Sequence, residues 1–193
     1  MGELDDAKIL ASETCALDII GAKFIREIEP GEIIVITEEG EESVKPFPNA
    51  RSRPCIFEYI YFSRPDSNLG GKSVYECRKS FGKNLAKECP SEADIVVPVP
   101  DSGVPAALGY SEESNIPFEL SIIRNHYVGR TFILPTQSNR QSSVKLKHNP
   151  DKVSVEGKKI VLVDDSIVRG TTSVKIIELM REACLLYTSD AAD

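Results

Sequence analysis

The order of residue types in KIVLVDDSIVRGTTS, residues 159–173, admits few folds. Ile160–Val163 is a short, apolar, β-branched run of the kind used by a parallel strand buried on both faces. Two adjacent carboxylates, Asp164 and Asp165, follow at once, and then a hydroxyl-rich loop closed by Gly170. Thr171, Thr172 and Ser173 stand where a helix cap is due. The spacing predicts a helix over 174–183 with Ile176, Ile177 and Met180 on its apolar face. Strand, acidic pair, loop and helix start together predict an α/β domain with a parallel sheet and a ligand site at the strands' carboxyl ends.

That order also has a chemical meaning. The loop and the helix start offer backbone N–H groups, hydroxyls and the positive end of a helix dipole, which suit a phosphate. Carboxylates at the strand's end can hold vicinal sugar hydroxyls or a hydrated Mg²⁺ beside that phosphate. A phosphorylated ribose meets both requirements. A Walker loop does not fit, because the stretch lacks the Gly-Lys-Ser/Thr ending and carries acids where that loop has glycines.

The string VLVDDSIVRGTTS resembles the 5-phosphoribosyl 1-pyrophosphate (PRPP) loop of the type I phosphoribosyltransferases, and its SIVRGTTS portion that of the glutamine-dependent amidophosphoribosyltransferases. The resemblance implies that Asp164 and Asp165 are catalytic and hold the ribose hydroxyls, directly or through Mg²⁺. It also implies that Ser166, Ile167, Val168, Arg169, Gly170, Thr171, Thr172 and Ser173 grip the 5-phosphate. The implied reaction is displacement of pyrophosphate from C1 of PRPP by ammonia drawn from glutamine, the first step of purine synthesis. A salvage phosphoribosyltransferase and a non-catalytic PRPP-binding regulatory module are the alternatives.

Upstream, Val74, Cys77, Phe81 and Leu85 recur with a helical period over 74–89, and Pro90 ends the run. Residues 94–98 (DIVVP) read as the next parallel strand. Asp101, Ser102 and Gly103 then form a turn before a helix over 105–114. In the resembled family this turn takes the pyrophosphate, and the serine matching Ser102 helps hold Mg²⁺. Residues 118–124 (FELSIIR) read as another strand. The long polar stretch after it is the most basic part of an acidic chain, with Arg124, Arg130, Arg140, Lys145 and Lys147. Such a stretch suits a lid that neutralises and shields a pyrophosphate. The family likeness of YVGRTFI and of the basic residues after it implies a substrate-binding role for Tyr127 and Lys145 and a catalytic one for Arg130. His126 stands where that pattern has an arginine.

Residues 1–54 differ in character. ALDII and EIIVITEEGEE predict short antiparallel strands split by Pro30 and Gly31. SETCALDIIGAKFIREIEPGEIIVI resembles the closing segment of the family's N-terminal glutaminase domain, whose nucleophilic terminal cysteine has no counterpart at Met1 or at internal Cys15. RSRPCIFEYIYFSRPDS, residues 51–67, reads as an aromatic strand entering a turn. In cluster-bearing relatives a cysteine at the position of Cys55 ligates a [4Fe-4S] cluster, but one thiolate cannot hold a centre that needs four. The expected organisation is therefore a glutaminase remnant over 1–54, an incomplete phosphoribosyltransferase domain over 55–183, and a foreign tail over 184–193.

Bulk composition narrows the class. A hydrophobic share of 41% with 27% charged residues is globular, and a net charge of −7 argues against a general nucleic-acid surface. No apolar run approaches the roughly 18 residues of a membrane span, which predicts no membrane partner. Five scattered cysteines suggest neither a disulfide framework nor a zinc site, and fit a reducing cytoplasm. The resemblance further implies a homo-oligomer for the full-length protein.

Overall fold

The computed structural model describes residues 1–47, 51–125, 148–167 and 170–184 of the 193. The chain divides into two compact units, Met1–Tyr75 and Glu76–Asp193. In the first, β1 (Gly2–Leu4) pairs antiparallel with β2 (Ala7–Ile9) and β3 (Lys23–Phe24). Helix α1 (Thr14–Ile19) lies between β2 and β3 in sequence and buries Cys15 and Leu17. The strand expected from ALDII is thus a helix. Its β-branched end fails to make a strand because Ile19 and Ile20 stay exposed and Gly21, at φ 74°, turns the chain. EIIVITEEGEE behaves as expected: β4 (Ile33–Thr37) and β5 (Gly40–Val44) form an antiparallel hairpin.

The aromatic stretch expected as a strand is also helical, with a π-helical segment over Glu58–Phe62. The Ser63 N–H donates to the Glu58 carbonyl at 3.2 Å, closing the wide turn. Ser63 Oγ donates to the Glu58 carboxylate at 2.6 Å. These two bonds, five residues apart, outweigh the strand preference of the aromatic run. A two-residue hairpin, β6 (Asn68–Leu69) and β7 (Lys72–Ser73), follows.

The second unit begins with most of helix α2 (Val74–Glu88) and builds a parallel sheet. At its centre β8 (Ile95–Pro98) is buried at every position. Helix α3 (Val104–Ser114) follows, with Pro at its first turn and Asn115 closing it at φ 60°. The chain then returns along β8, where Phe118 bridges Val96 in parallel. Only Ile122–Arg124 of the strand expected over 118–124 is regular (β9), and it pairs antiparallel with β10 (His148–Pro150). A single turn, α4 (Lys152–Val155), is capped by the Asp151 side chain, which accepts from the Val153 N–H. Strand β11 (Ile160–Val163) runs parallel to β8, and α5 (Thr171–Cys184) follows it.

Alternation along β8 explains the layers. Ile95, Val97 and Val99 face a core with Ile122, Val155, Ile176, Met180 and Ala183, while Val96 faces Ala86, Ala107, Tyr110 and Val163 on the other side. Helices therefore cover both faces, as a parallel sheet requires. Two expected helix faces need correction. On α5, Ile176 and Met180 are buried but Ile177 is not, Leu179 taking its place. On α2 the buried positions are Val74, Arg78, Gly82 and Ala86, leaving Phe81 and Leu85 at 39% and 40% exposure. Close approach of α3 is the reason: a Cβ on Gly82 would meet the Ala106 carbonyl oxygen at 1.8 Å, so no side chain fits where the two helices cross. Cys184, expected as the first tail residue, is the last residue of α5, and its carbonyl accepts from the Gly157 N–H at 3.3 Å. The rest of that tail lies outside the described residues.

Candidate functional site

Two loops are brought side by side at the carboxyl ends of β8 and β11. Register is set at the other end, where the Asp94 N–H donates to the Lys159 carbonyl at 2.9 Å and the Lys159 N–H to the Asp94 carboxylate at 2.7 Å. From there Ile95 through Pro98 run opposite Ile160 through Val163, and the Val99 N–H closes the ladder on the Val163 carbonyl at 2.8 Å. Both strands thus end level, one giving way to Asp101–Ser102–Gly103 and the other to Asp164–Asp165–Ser166.

Gly103 joins the loops. Its N–H donates to the Val99 carbonyl at 3.0 Å, and a Cβ there would lie 2.7 Å from Val163 O. The residue expected to bind ligand therefore has a packing role besides. Ser102 is half-buried and Asp101 exposed. The Asp101 carboxylate pairs with the Arg124 guanidinium from the end of β9. Sequence reasoning placed both residues near an anion but missed the pair, since 23 positions separate them and no pattern links them.

At the end of β11, Asp164 and Asp165 are half-buried. Asp164 Oδ1 accepts the Asp165 N–H at 2.9 Å, and Asp165 Oδ1 accepts the Ser166 hydroxyl at 2.6 Å. Burial pushes the Asp164 carboxyl above its ordinary pKa; the backbone bond opposes this and the neighbouring Asp165 charge adds to it. Ile167 is 75% exposed. Gly170, at φ 70°, turns the chain into α5, and its carbonyl accepts the Val174 N–H at 2.9 Å. Thr171, Thr172 and Ser173 form the first turn of that helix, where backbone N–H groups lack partners within the helix. Tyr127, Arg130, Lys145, Val168 and Arg169 lie outside the described residues, as do His126, Arg140 and Lys147 and the side chain of Thr171.

The donor set at the acidic pair fits a hard divalent cation. Each carboxylate spends one oxygen on a local hydrogen bond, and two like charges stand on adjacent residues. Among the described residues no group of three or more His, Cys, Asp or Glu could hold a metal ion. A cation here would keep water or ligand oxygens in its shell, which is the habit of Mg²⁺. Cys55 is exposed and free in the first unit. The described residues do not fit an iron–sulfur cluster, for no second and third thiol gather with it.

A parallel α/β sheet, helices on both faces and paired loops at the strand ends define a class of phosphate-binding domain. Residues 72–184 match the profile of the phosphoribosyl transferase domain, and the chain belongs to that family. It is 62% identical over 188 residues to the amidophosphoribosyltransferase of Rhizobium etli, covering 95% of this chain and 38% of that protein. To the Bacillus subtilis amidophosphoribosyltransferase it is 52% identical over 183 residues, again covering 95% and 38%. A solved structure described as glutamine phosphoribosylpyrophosphate (PRPP) amidotransferase from B. subtilis, complexed with ADP and GMP, superposes with a TM-score of 0.87 at 51% identity. That match covers 96% of this chain and 41% of the other. The chain therefore spans about two fifths of the length of these relatives.

Proposed function

We propose that this chain carries the PRPP site of an amidophosphoribosyltransferase, in which ammonia displaces pyrophosphate from C1 of PRPP to give 5-phosphoribosylamine. The observation that carries this reading is the level ending of β8 and β11, which sets the Asp101–Gly103 turn beside the Asp164–Asp165 pair. In the reaction the ammonia lone pair forms the N–C1 bond as the C1–O bond to pyrophosphate breaks, and a proton leaves the new ammonium. Positive charge develops on the ribose, so catalysis is chiefly positioning and charge stabilisation. Asp164 and Asp165 hold the ribose hydroxyls and set negative charge beside that cation. The loop from Ser166 to the start of α5 takes the 5-phosphate, and the turn that Asp101 opens takes the departing pyrophosphate through Ser102 and Gly103, with Mg²⁺ and the basic stretch after Arg124. Asp164, Asp165 and Ser102 are the residues that would hold Mg²⁺, which supplies charge neutralisation when bound.

In the same reading residues 1–54 are the closing part of a glutaminase domain, the kind of domain that delivers ammonia from glutamine. The five cysteines, all free thiols, suit a reducing cytoplasm.

Calorimetric titration of PRPP with Mg²⁺ into the chain tests the proposal, with the variant Asp164→Asn/Asp165→Asn alongside. Saturable binding that needs Mg²⁺ and disappears in the folded variant is expected, followed by ammonia-dependent release of pyrophosphate. A folded chain that binds no PRPP overturns the reading.

A further inference from the structure

The Asp101–Arg124 pair joins the turn that follows β8 to the end of β9. Its setting is unusual for a surface ion pair. The two residues are the charged members of a cavity of about 330 Å³ whose wall is otherwise apolar, with Pro100, Val104, Leu108, Phe118, Leu120 and Ile122. Arg124 has little freedom at its base: it pairs with His148 in the β9–β10 register, and Ile122 two residues before it is fully buried. From that base its guanidinium reaches across to the Asp101 carboxylate in the turn. Its stem lies along the apolar wall while its half-exposed head pairs with Asp101.

We propose that Arg124 is a pyrophosphate-binding residue which Asp101 holds in reserve, the carboxylate standing in for the anion until the ligand displaces it. This rests on the assignment of the Asp101–Gly103 turn to pyrophosphate made above, and adds an internal competitor to it. A carboxylate offers a guanidinium two acceptor oxygens in the geometry that a phosphoryl group also offers, but with less charge. The side chains are 47% and 59% exposed, so solvent and ligand reach the pair and its hold is weak. An unpaired Asp101 at an anion site would repel the ligand. Paired, it keeps the cation aligned and cancels its own charge, and each arriving pyrophosphate must break that contact.

The two partners then have opposite effects, which an ordinary structural ion pair would not produce. In titrations of the 193-residue chain, Arg124→Gln should weaken metal-free inorganic pyrophosphate, and PRPP with Mg²⁺, about tenfold, with Arg124→Lys between it and the parent. Asp101→Asn should tighten metal-free pyrophosphate about threefold, and that gain should vanish in Asp101→Asn/Arg124→Gln. Ribose 5-phosphate, which lacks the pyrophosphate, should bind the parent and all four variants alike. A gain from Asp101→Asn that survives without Arg124 would mean simple repulsion and overturn the proposal. Equal weakening by both single variants would overturn it as well. Binding of ribose 5-phosphate without any of pyrophosphate removes this inference and leaves the ribose site standing; binding of neither removes both.

Discussion

Gly103 packs against Val163 so closely that a side chain has no place: a Cβ would stand 2.7 Å from the Val163 carbonyl oxygen and 2.8 Å from that of Val99. The contact is between backbones, which cannot rotate away as a side chain can. It couples the turn after β8 to the carboxylate loop after β11. Gly103→Ala should therefore cost about 2 kcal/mol of stability by overpacking, and weaken PRPP binding by parting the loops. Ser102→Ala, one residue earlier and half-buried, should stay within about 0.5 kcal/mol. Urea midpoints of the two variants check this; equal values would show that the contact carries no stability.

The seam between α2 and α3 makes a second prediction. Cβ atoms at Gly82 and Gly109 would lie 1.8 Å from Ala106 O and 1.9 Å from Lys79 O, so each glycine receives the other helix's backbone. Gly82→Ala should cost about 3 kcal/mol or leave the chain unfolded. Across the same seam Lys83 pairs with Glu112 at 3.0 Å, both well exposed. Lys83→Ala should change stability by no more than about 0.5 kcal/mol. A thermal melt of Gly82→Ala matching the parent would refute the seam.

The parallel strands and the site loops were legible because their signals are local. IVLV followed by DD, and IVVP followed by a Pro-Asp-Ser-Gly turn, each write strand, loop and helix start within a dozen residues. What the sequence hid depends on contacts between elements. The period of Phe81 and Leu85 on α2 is a true helical signal pointing to the wrong face, because the neighbouring helix comes too near for large side chains. ALDII and the aromatic run over 56–62 carry strand-like residues, yet the chain coils there through Gly21 and through the Glu58–Ser63 bonds. The Asp101–Arg124 pair spans 23 residues, and only the sheet brings its members together.

Asp164 links stability to pH in the direction opposite to most carboxylates. Its folded-state pKa lies above the ordinary 3.8, chiefly through burial. The unfolded chain therefore releases the proton first as pH rises, and the stability present below 3.8 is lost as pH passes through the raised value. Asp164→Asn keeps an oxygen for the Asp165 N–H and removes the charge. The variant should be more stable than the parent at pH 7, with the gap closing as pH falls to 3.8. Mg²⁺ should narrow the same gap at pH 7 by favouring the ionised parent. Denaturation curves across this range decide; a gap that does not move with pH would assign the effect to something other than charge.

Within the first unit the sign reverses at Glu32. Arg26 Nη1 and Nη2 donate to its carboxylate at 3.0 and 2.8 Å, Ser43 Oγ at 2.7 Å and the Glu29 N–H at 2.7 Å. The Glu32 side chain is 2% exposed, and these donors, the guanidinium first, hold its pKa down to about 2. Here the unfolded state binds the proton first as pH falls, so the stabilisation is complete above 4.5 and is lost between there and about 2. Arg26→Ala removes the largest cause and should bring the Glu32 pKa back toward 4.5, while Ser43→Ala should move it less. NMR titration of the Glu32 side-chain carboxyl reads both shifts directly. If Arg26→Ala leaves the value near 2, the remaining hydroxyl and backbone donors are what hold the carboxylate. The β4–β5 hairpin, to which Ser43 belongs, would then stay anchored in acid without the ion pair.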